Sequence, residues 1–252
     1  MTRIVFITGA TSGFGKACAE KFASEGFDLI LTGRREERLE EIKVRLEKKF
    51  NIAVFLLSFD VRDRNKVFEK INSIPESWQS IDILINNAGL ALGRDYFEEA
   101  DIDDWDVMID TNVKGLLYVS RAVIPFMVKN EKGHIINLGS VAGMEVYEKG
   151  NAYCASKFAV DAISQSMRID LLRHNIKVTN IQPGAADTEF GIVRFKGDEA
   201  MAKGVYQGIK PLTAEDVADI IYYTTTLPSH VCINEIVVTC LGQANAIYFN
   251  RK

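Results

Sequence analysis

The sequence predicts a single-domain α/β chain built on a doubly wound sheet of about seven parallel strands. Three observations predict it. Short β-branched runs alternate with longer helical patterns, several of the runs are continuously apolar, and the first run ends in a glycine-rich turn that opens a helix. Continuous apolarity is what strands covered on both faces require. At 252 residues, 47% hydrophobic and 25% charged, the chain can bury one large core. No linker, repeat or low-complexity tract divides residues 1–252, so one domain is expected.

In order, strands are expected at 4–8, 28–31, 53–57, 81–86, 134–138, 177–181 and 235–238. A helix is expected over 36–50, charged on one side with Leu39, Ile42, Leu46 and Phe50 recurring on the other. Further helices are expected around 116–127 and through Tyr153 and Lys157. Another starts after Pro211, where Thr213 can cap and Asp216 can close a capping box. Right-handed crossovers then place a ligand cleft beyond the carboxyl ends of the strands.

Composition narrows the partners. A formal net charge of -4 and a pI near 5.5 offer no basic field, so neither nucleic acid nor an acidic membrane is an expected partner. No apolar run reaches membrane-spanning length. The opening residues 1–7 enter an apolar stretch too short for a signal sequence, and a cytoplasmic location is expected. Cys18, Cys154, Cys232 and Cys240, with His134, His174 and His230, lack metal-ligand spacing. Reduced thiols and no metal are expected.

The turn after the first strand carries Gly9, Thr11, Ser12, Gly13, Phe14 and Gly15, with glycines spaced G-x3-G-x-G. Glycine is needed where the chain turns sharply and where backbone approaches a pyrophosphate, while the following helix offers unpaired N–H groups. After the second strand stand Arg34 and Arg35, with no acidic residue at that point. A carboxylate there would suit a free ribose 2′-hydroxyl, whereas planar guanidinium groups suit a 2′-phosphate. The cofactor expected is therefore NADP rather than NAD, although two arginines opening a charged helix also fit a solvated end.

Tyr153 and Lys157 stand four apart on one helix face, and Ser140 precedes them. A phenol titrates near pH ~10, and an adjacent ammonium can favour its ionised form. Tyr153 then reads as an acid/base, Lys157 as the group that lowers its pKa, and Ser140 as a hydrogen-bond donor to a substrate oxygen gaining charge. A packed phenol beside a solvated lysine, and a strand-end capping hydroxyl, are the plain alternatives.

Taken together, the glycine turn, Asp60-Val61, Asn86-Asn87-Ala88-Gly89, Asn112, Ser140, Tyr153, Lys157 and Pro183-Gly184 resemble the short-chain dehydrogenases/reductases over essentially the whole chain. The resemblance implies a Rossmann-type fold and a catalytic tetrad of Asn112, Ser140, Tyr153 and Lys157. It further implies that Lys157 binds the nicotinamide ribose and Asn112 holds a water linking that lysine to solvent. Asp60 and Val61 would meet the adenine. Asn87, Ala88 and Gly89 would support strand and cofactor, and Pro183, Gly184, Ala186 and Thr188 would line the cofactor.

Strings through 87–93, 133–140, 188–198, 211–216 and 227–231 are similar to the NADP-dependent 3-hydroxy acid dehydrogenases. That likeness implies oxidation of serine, allo-threonine or 3-hydroxypropionate, or reduction of oxo acids such as malonic semialdehyde, by a homotetramer. Ala185-Ala186-Asp187 and the tail 241–252 depart from it. A substrate carboxylate needs a cation or a set of backbone donors; Arg194 and Lys196 are the candidate cations, in a lid over 185–208 with glycines at 191, 197, 204 and 208 for hinges. A surface loop tied down by its own arginine is the alternative. Ala155, Ala159, Ala162 and Ser166 form a small-residue stripe on the tyrosine helix. Family resemblance implies that this helix and the one around 116–127 pair across a two-fold axis. Rival readings are a 3-oxoacyl carrier-protein reductase, a broad carbonyl reductase, or a non-catalytic dinucleotide-binding regulator.

Overall fold

A computed structural model describes residues 2–252 and arranges seven strands in one sheet. They are β1 (Ile4–Ile7), β2 (Asp28–Gly33), β3 (Val54–Ser58), β4 (Ile81–Asn86), β5 (Gly133–Leu138), β6 (Ile176–Pro183) and β7 (Glu235–Val238). The order is β3-β2-β1-β4-β5-β6-β7, and every pairing is parallel. The chain winds outward from β1 to β3, then returns to the other side of β1 with β4. Between β1 and β4 the winding reverses, which opens a crevice at their carboxyl ends.

Alternation along β1 divides the core. Val5 and Ile7 face one layer, packed with Leu29, Leu31, Phe22 and Leu39. Ile4 and Phe6 face the other, with Ile30, Val67, Leu84 and Val123. Helices α1 (Gly13–Ser24) and α2 (Glu36–Phe50) contribute to the first layer, and α3 (Arg64–Asn72) to the second. The predicted stripe of α2 is buried at Leu39, Ile42 and Leu46, and Asn51 ends the helix in the left-handed conformation, φ 54°.

Strand ends shift by one or two residues from expectation. Thr8 leaves β1 because its hydroxyl accepts N–H bonds from Asn87 and Ala88, which commits it to the turn. At the other end of the sheet, β6 runs on to Pro183, which pairs with Val238. A proline can close a strand there because no further ladder donor is required of it.

Helix α4 (Ile102–Ile109) passes through a π-turn, Asp110–Gly115, into α5 (Leu116–Lys129). The tyrosine helix α6 spans Asn151–Leu171. Between β6 and β7 lie the short helices α7 (Glu189–Arg194) and α8 (Glu199–Gly204), then α9 (Ala214–Thr225), which starts with the predicted Thr213/Asp216 capping box. Among the described residues, no helix is long and apolar enough to cross a membrane.

Candidate active site

The loops that follow β1 and β4 meet at the crevice and are tied together there. Asn87 donates from Nδ2 to the carbonyls of Thr8, at 2.8 Å, and Gly9, at 3.2 Å. Gly9 and Gly13 take φ of 66° and 50°, conformations that side chains resist. Gly15 is required by space, since a Cβ there would collide with the Gly9 carbonyl. Ser12 precedes α1 without capping it through its side chain, and no acidic residue stands in the first turn. The opening N–H groups of α1 are therefore left for an anion.

A cleft of about 1150 Å³ runs from this turn across the carboxyl edge of the sheet, ample for a dinucleotide and a small substrate. Every residue predicted for the site lines it except Gly15, Asn112 and Lys196. At one end lie Arg34 and Arg35. Arg35 donates from Nη2 and Nε to the Thr11 hydroxyl, at 2.8 and 3.2 Å, while Arg34 approaches Asp60 at 3.8 Å. Asp60 is held chiefly by Arg62 through Nη2 at 2.7 Å. Burial works against its charge, but the Arg62 hydrogen bonds prevail and keep its pKa below the ordinary carboxylate value. The glycine cradle, the open helix terminus and the arginine end together fit a phosphorylated dinucleotide.

At the other end stand Ser140, Tyr153 and Lys157. Tyr153 and Lys157 share one face of α6, and both are buried. Lys157 donates from Nζ to the Leu138 carbonyl at 2.7 Å and lies 5.9 Å from the Tyr153 ring centre. Burial lowers the lysine pKa to about 8. Burial, with Tyr147 alongside, pushes the Tyr153 phenol well above the ordinary tyrosine value, and opposing effects of Ser140 and Arg194 are outweighed. Desolvation of the phenol thus outweighs the lowering expected of Lys157, which is not among the groups that lower the tyrosine pKa. Ser140 also caps a short 3-10 turn, its hydroxyl accepting from the Ala142 N–H at 3.1 Å.

Asn112 sits behind the cleft in the π-turn. Its Nδ2 donates to the Leu90 carbonyl at 2.8 Å and the Ser156 hydroxyl at 3.0 Å, and its Oδ1 accepts from the Leu90 N–H at 2.8 Å. Both side-chain donors are thus spent on the scaffold, which leaves the expected water link without a side-chain donor.

The two candidate cations of the lid part company. Arg194 turns inward, donating from Nη1 to the Tyr147 hydroxyl at 3.1 Å and from Nε to the Gly93 carbonyl at 3.3 Å. Its guanidinium lies 5.4 Å from the Tyr153 ring centre, and among the described residues no carboxylate pairs with it. Lys196 turns away into an ion pair with Asp104 at 2.8 Å and does not line the cleft. Of the four proposed hinge glycines, Gly197 and Gly208 take positive φ, whereas Gly191 and Gly204 lie inside α7 and α8.

Two parts of the wall escaped the sequence. Tyr147 meets Arg194 from a loop with no recognisable spacing. The tail folds back so that Gln243, Ile247 and Phe249 line the cleft, Gln243 accepting from the Ala185 N–H at 2.7 Å. Neither carries a local signal, since both reach the site through tertiary packing.

The comparisons with known proteins agree with this geometry. Residues 3–198 match the family model described as short chain dehydrogenase. The chain belongs to the short-chain dehydrogenase family. It is 47% identical over 244 residues to an NADP-dependent 3-hydroxy acid dehydrogenase, YdfG, of Escherichia coli O6:H1, covering 96% of this chain and 97% of that one. It is 46% identical to sulfoacetaldehyde reductase 2 of Chromohalobacter salexigens, covering 97% and 96% respectively. The closed form of a serine dehydrogenase complexed with NADP+ superposes with a TM-score of 0.91 at 45% identity, covering 96% of this chain and 97% of that one. In this short-chain dehydrogenase the family match ends within the lid, at residue 198, so the tail wall lies outside it.

Proposed function

We propose that the chain is an NADP-dependent oxidoreductase that interconverts a small 3-hydroxy acid, such as serine, allo-threonine or 3-hydroxypropionate, and its 3-oxo acid. One observation carries the substrate class: Arg194, free of any carboxylate partner among the described residues, stands beside Tyr153 and Tyr147. A guanidinium there suits a planar, bidentate hold on a carboxylate one short carbon chain from the reacting oxygen. The names of the YdfG and serine dehydrogenase relatives support that reading.

The cofactor-binding residues proposed are Gly9, Thr11, Ser12, Gly13, Phe14 and Gly15 of the glycine turn, Arg34, Arg35, Asp60, Val61, Asn87 to Gly89, Pro183, Gly184, Ala186 and Thr188, which all border one cleft apart from Gly15. When bound, the nicotinamide accepts or supplies the hydride. As the tyrosinate, Tyr153 takes the proton from the substrate hydroxyl during oxidation, and as the phenol it gives one back during reduction. Ser140 holds the substrate oxygen, and Lys157 keeps an ammonium near the phenol below about pH 8. Arg194 anchors the carboxylate and so sets which carbon faces the nicotinamide site.

The sulfoacetaldehyde reductase relative favours a second substrate, an aldehyde carrying a sulfonate, for which Arg194 would serve equally. Arg194→Ala tests the anion role. It is expected to raise the KM for 3-hydroxypropionate at least roughly ten-fold, in the range for a lost charged hydrogen bond, while sparing a neutral alcohol. Equal changes in the two KM values would remove the carboxylate role.

A further inference from the structure

At the adenosine end of the cleft one charge is out of place. Glu189, the first residue of α7, sends its carboxylate toward the arginines rather than to solvent alone. Its Oε2 lies 3.2 Å from Arg35 Nη1, and its Oε1 lies 3.0 Å from Arg38 Nη1. Arg35 meanwhile directs Nε and Nη2 at the Thr11 hydroxyl, inside the cleft. The planar fork is thus divided, one edge on Thr11 and the remaining nitrogen on a carboxylate that itself borders the cleft. Arg34, the other arginine at this end, has only the 3.8 Å approach to Asp60.

A 2′-phosphate placed on Arg35 would bring a second anion against Glu189. Two like charges on one guanidinium repel, so one must yield. We propose that Glu189 is a cofactor-discriminating residue: its carboxylate is an internal competitor that pairs with Arg35 and Arg38 and cedes Arg35 to a 2′-phosphate. This rests on the NADP reading of Arg34 and Arg35. A nucleotide with a free 2′-hydroxyl brings no competing charge and leaves the Glu189 pairs in place.

The position of Glu189 gives the exchange a second end. Thr188 caps α7 beside Gly13, and the next residue after Glu189, Phe190, packs with its ring centre 5.7 Å from that of Tyr153. Helix α7 therefore lies between the arginine end and the tyrosine end, tied to both. Ceding Arg35 removes one of the two arginine ties on the first turn of the helix that carries Arg194 at its last position.

All three side chains are partly exposed, with 42%, 46% and 45% of Arg35, Arg38 and Glu189 accessible. Exposed ion pairs are weak, so the competition is modest, equivalent to roughly two- to five-fold in affinity. The probes are 2′,5′-ADP and 5′-AMP, titrated calorimetrically into the full chain, Glu189→Gln and Glu189→Ala. Both variants are expected to bind 2′,5′-ADP roughly two- to five-fold more tightly than the parent and 5′-AMP unchanged. Unchanged or weaker binding of 2′,5′-ADP, or equal tightening of both probes, would overturn the role of Glu189. The cofactor reading is judged separately, on the parent alone: it fails if the parent binds the two probes equally, whatever the variants do.

Discussion

Lys157 holds an ammonium where water is scarce, donating to the Leu138 carbonyl. The unfolded chain protonates this lysine up to the ordinary value of 10.5, the folded chain only up to about 8. Between those values the unfolded state binds more protons, so stability attributable to Lys157 rises with pH. At about 1.4 kcal/mol per unit, the parent should gain about 3 kcal/mol relative to Lys157→Met across that window. Urea melts of both proteins from pH 8 to 10.5 would show it, and a parent-minus-variant difference that stays flat would refute the buried charge. The same scale shows why sequence reading stops short at Arg194 and Lys196. Two residues apart in a basic, glycine-punctuated stretch, they are equivalent on paper. Helix α7 ends at Arg194 and turns it inward, while Lys196 sits in a left-handed turn, φ 52°, that delivers it to Asp104.

The elements were the legible part. Buried parallel strands must be apolar on both faces, so they stand out as β-branched runs, and the punctuation of β1 follows from the positive φ of Gly9 and Gly13 and from space at Gly15 that admits no Cβ. The polarity of α6 was legible in composition and ambiguous in direction, since a small-residue stripe can face a sheet or another molecule. In the structure Ala155, Ala162 and Ser166 are exposed, next to Phe158 at 41% and Ile169 at 76% accessible. On α5, Leu117 is exposed at 41%. This apolar row is what the expected pairing of α5 and α6 across a two-fold axis would cover, and we propose that pairing as part of a homotetramer. Light scattering on the purified chain should return a mass four times that of the 28.2 kDa protomer. Phe158→Glu should return a smaller species, and an unchanged monomer in both would rule out the pairing.

At the scale of the whole molecule, the reversal of winding between β1 and β4 makes one cleft from segments far apart in the chain: the glycine turn, the α6 face, the lid and the tail. Spacing reveals the first two because their chemistry demands fixed residue types. It cannot reveal Tyr147 or the returning tail, whose place depends on how α7 and Gln243 pack over the strand ends. Tyr147 meets Arg194 and the tail lines the same cleft, so both belong to the wall on which the proposed acid specificity rests. The central claim, NADP-linked turnover of small 3-hydroxy acids, is tested most directly by one panel. NADP reduction is measured with serine, allo-threonine and 3-hydroxypropionate, beside NADPH oxidation with acetoacetyl thioesters and simple ketones. The account predicts that kcat/KM is highest for the hydroxy acids, and activity confined to the thioesters would contradict it.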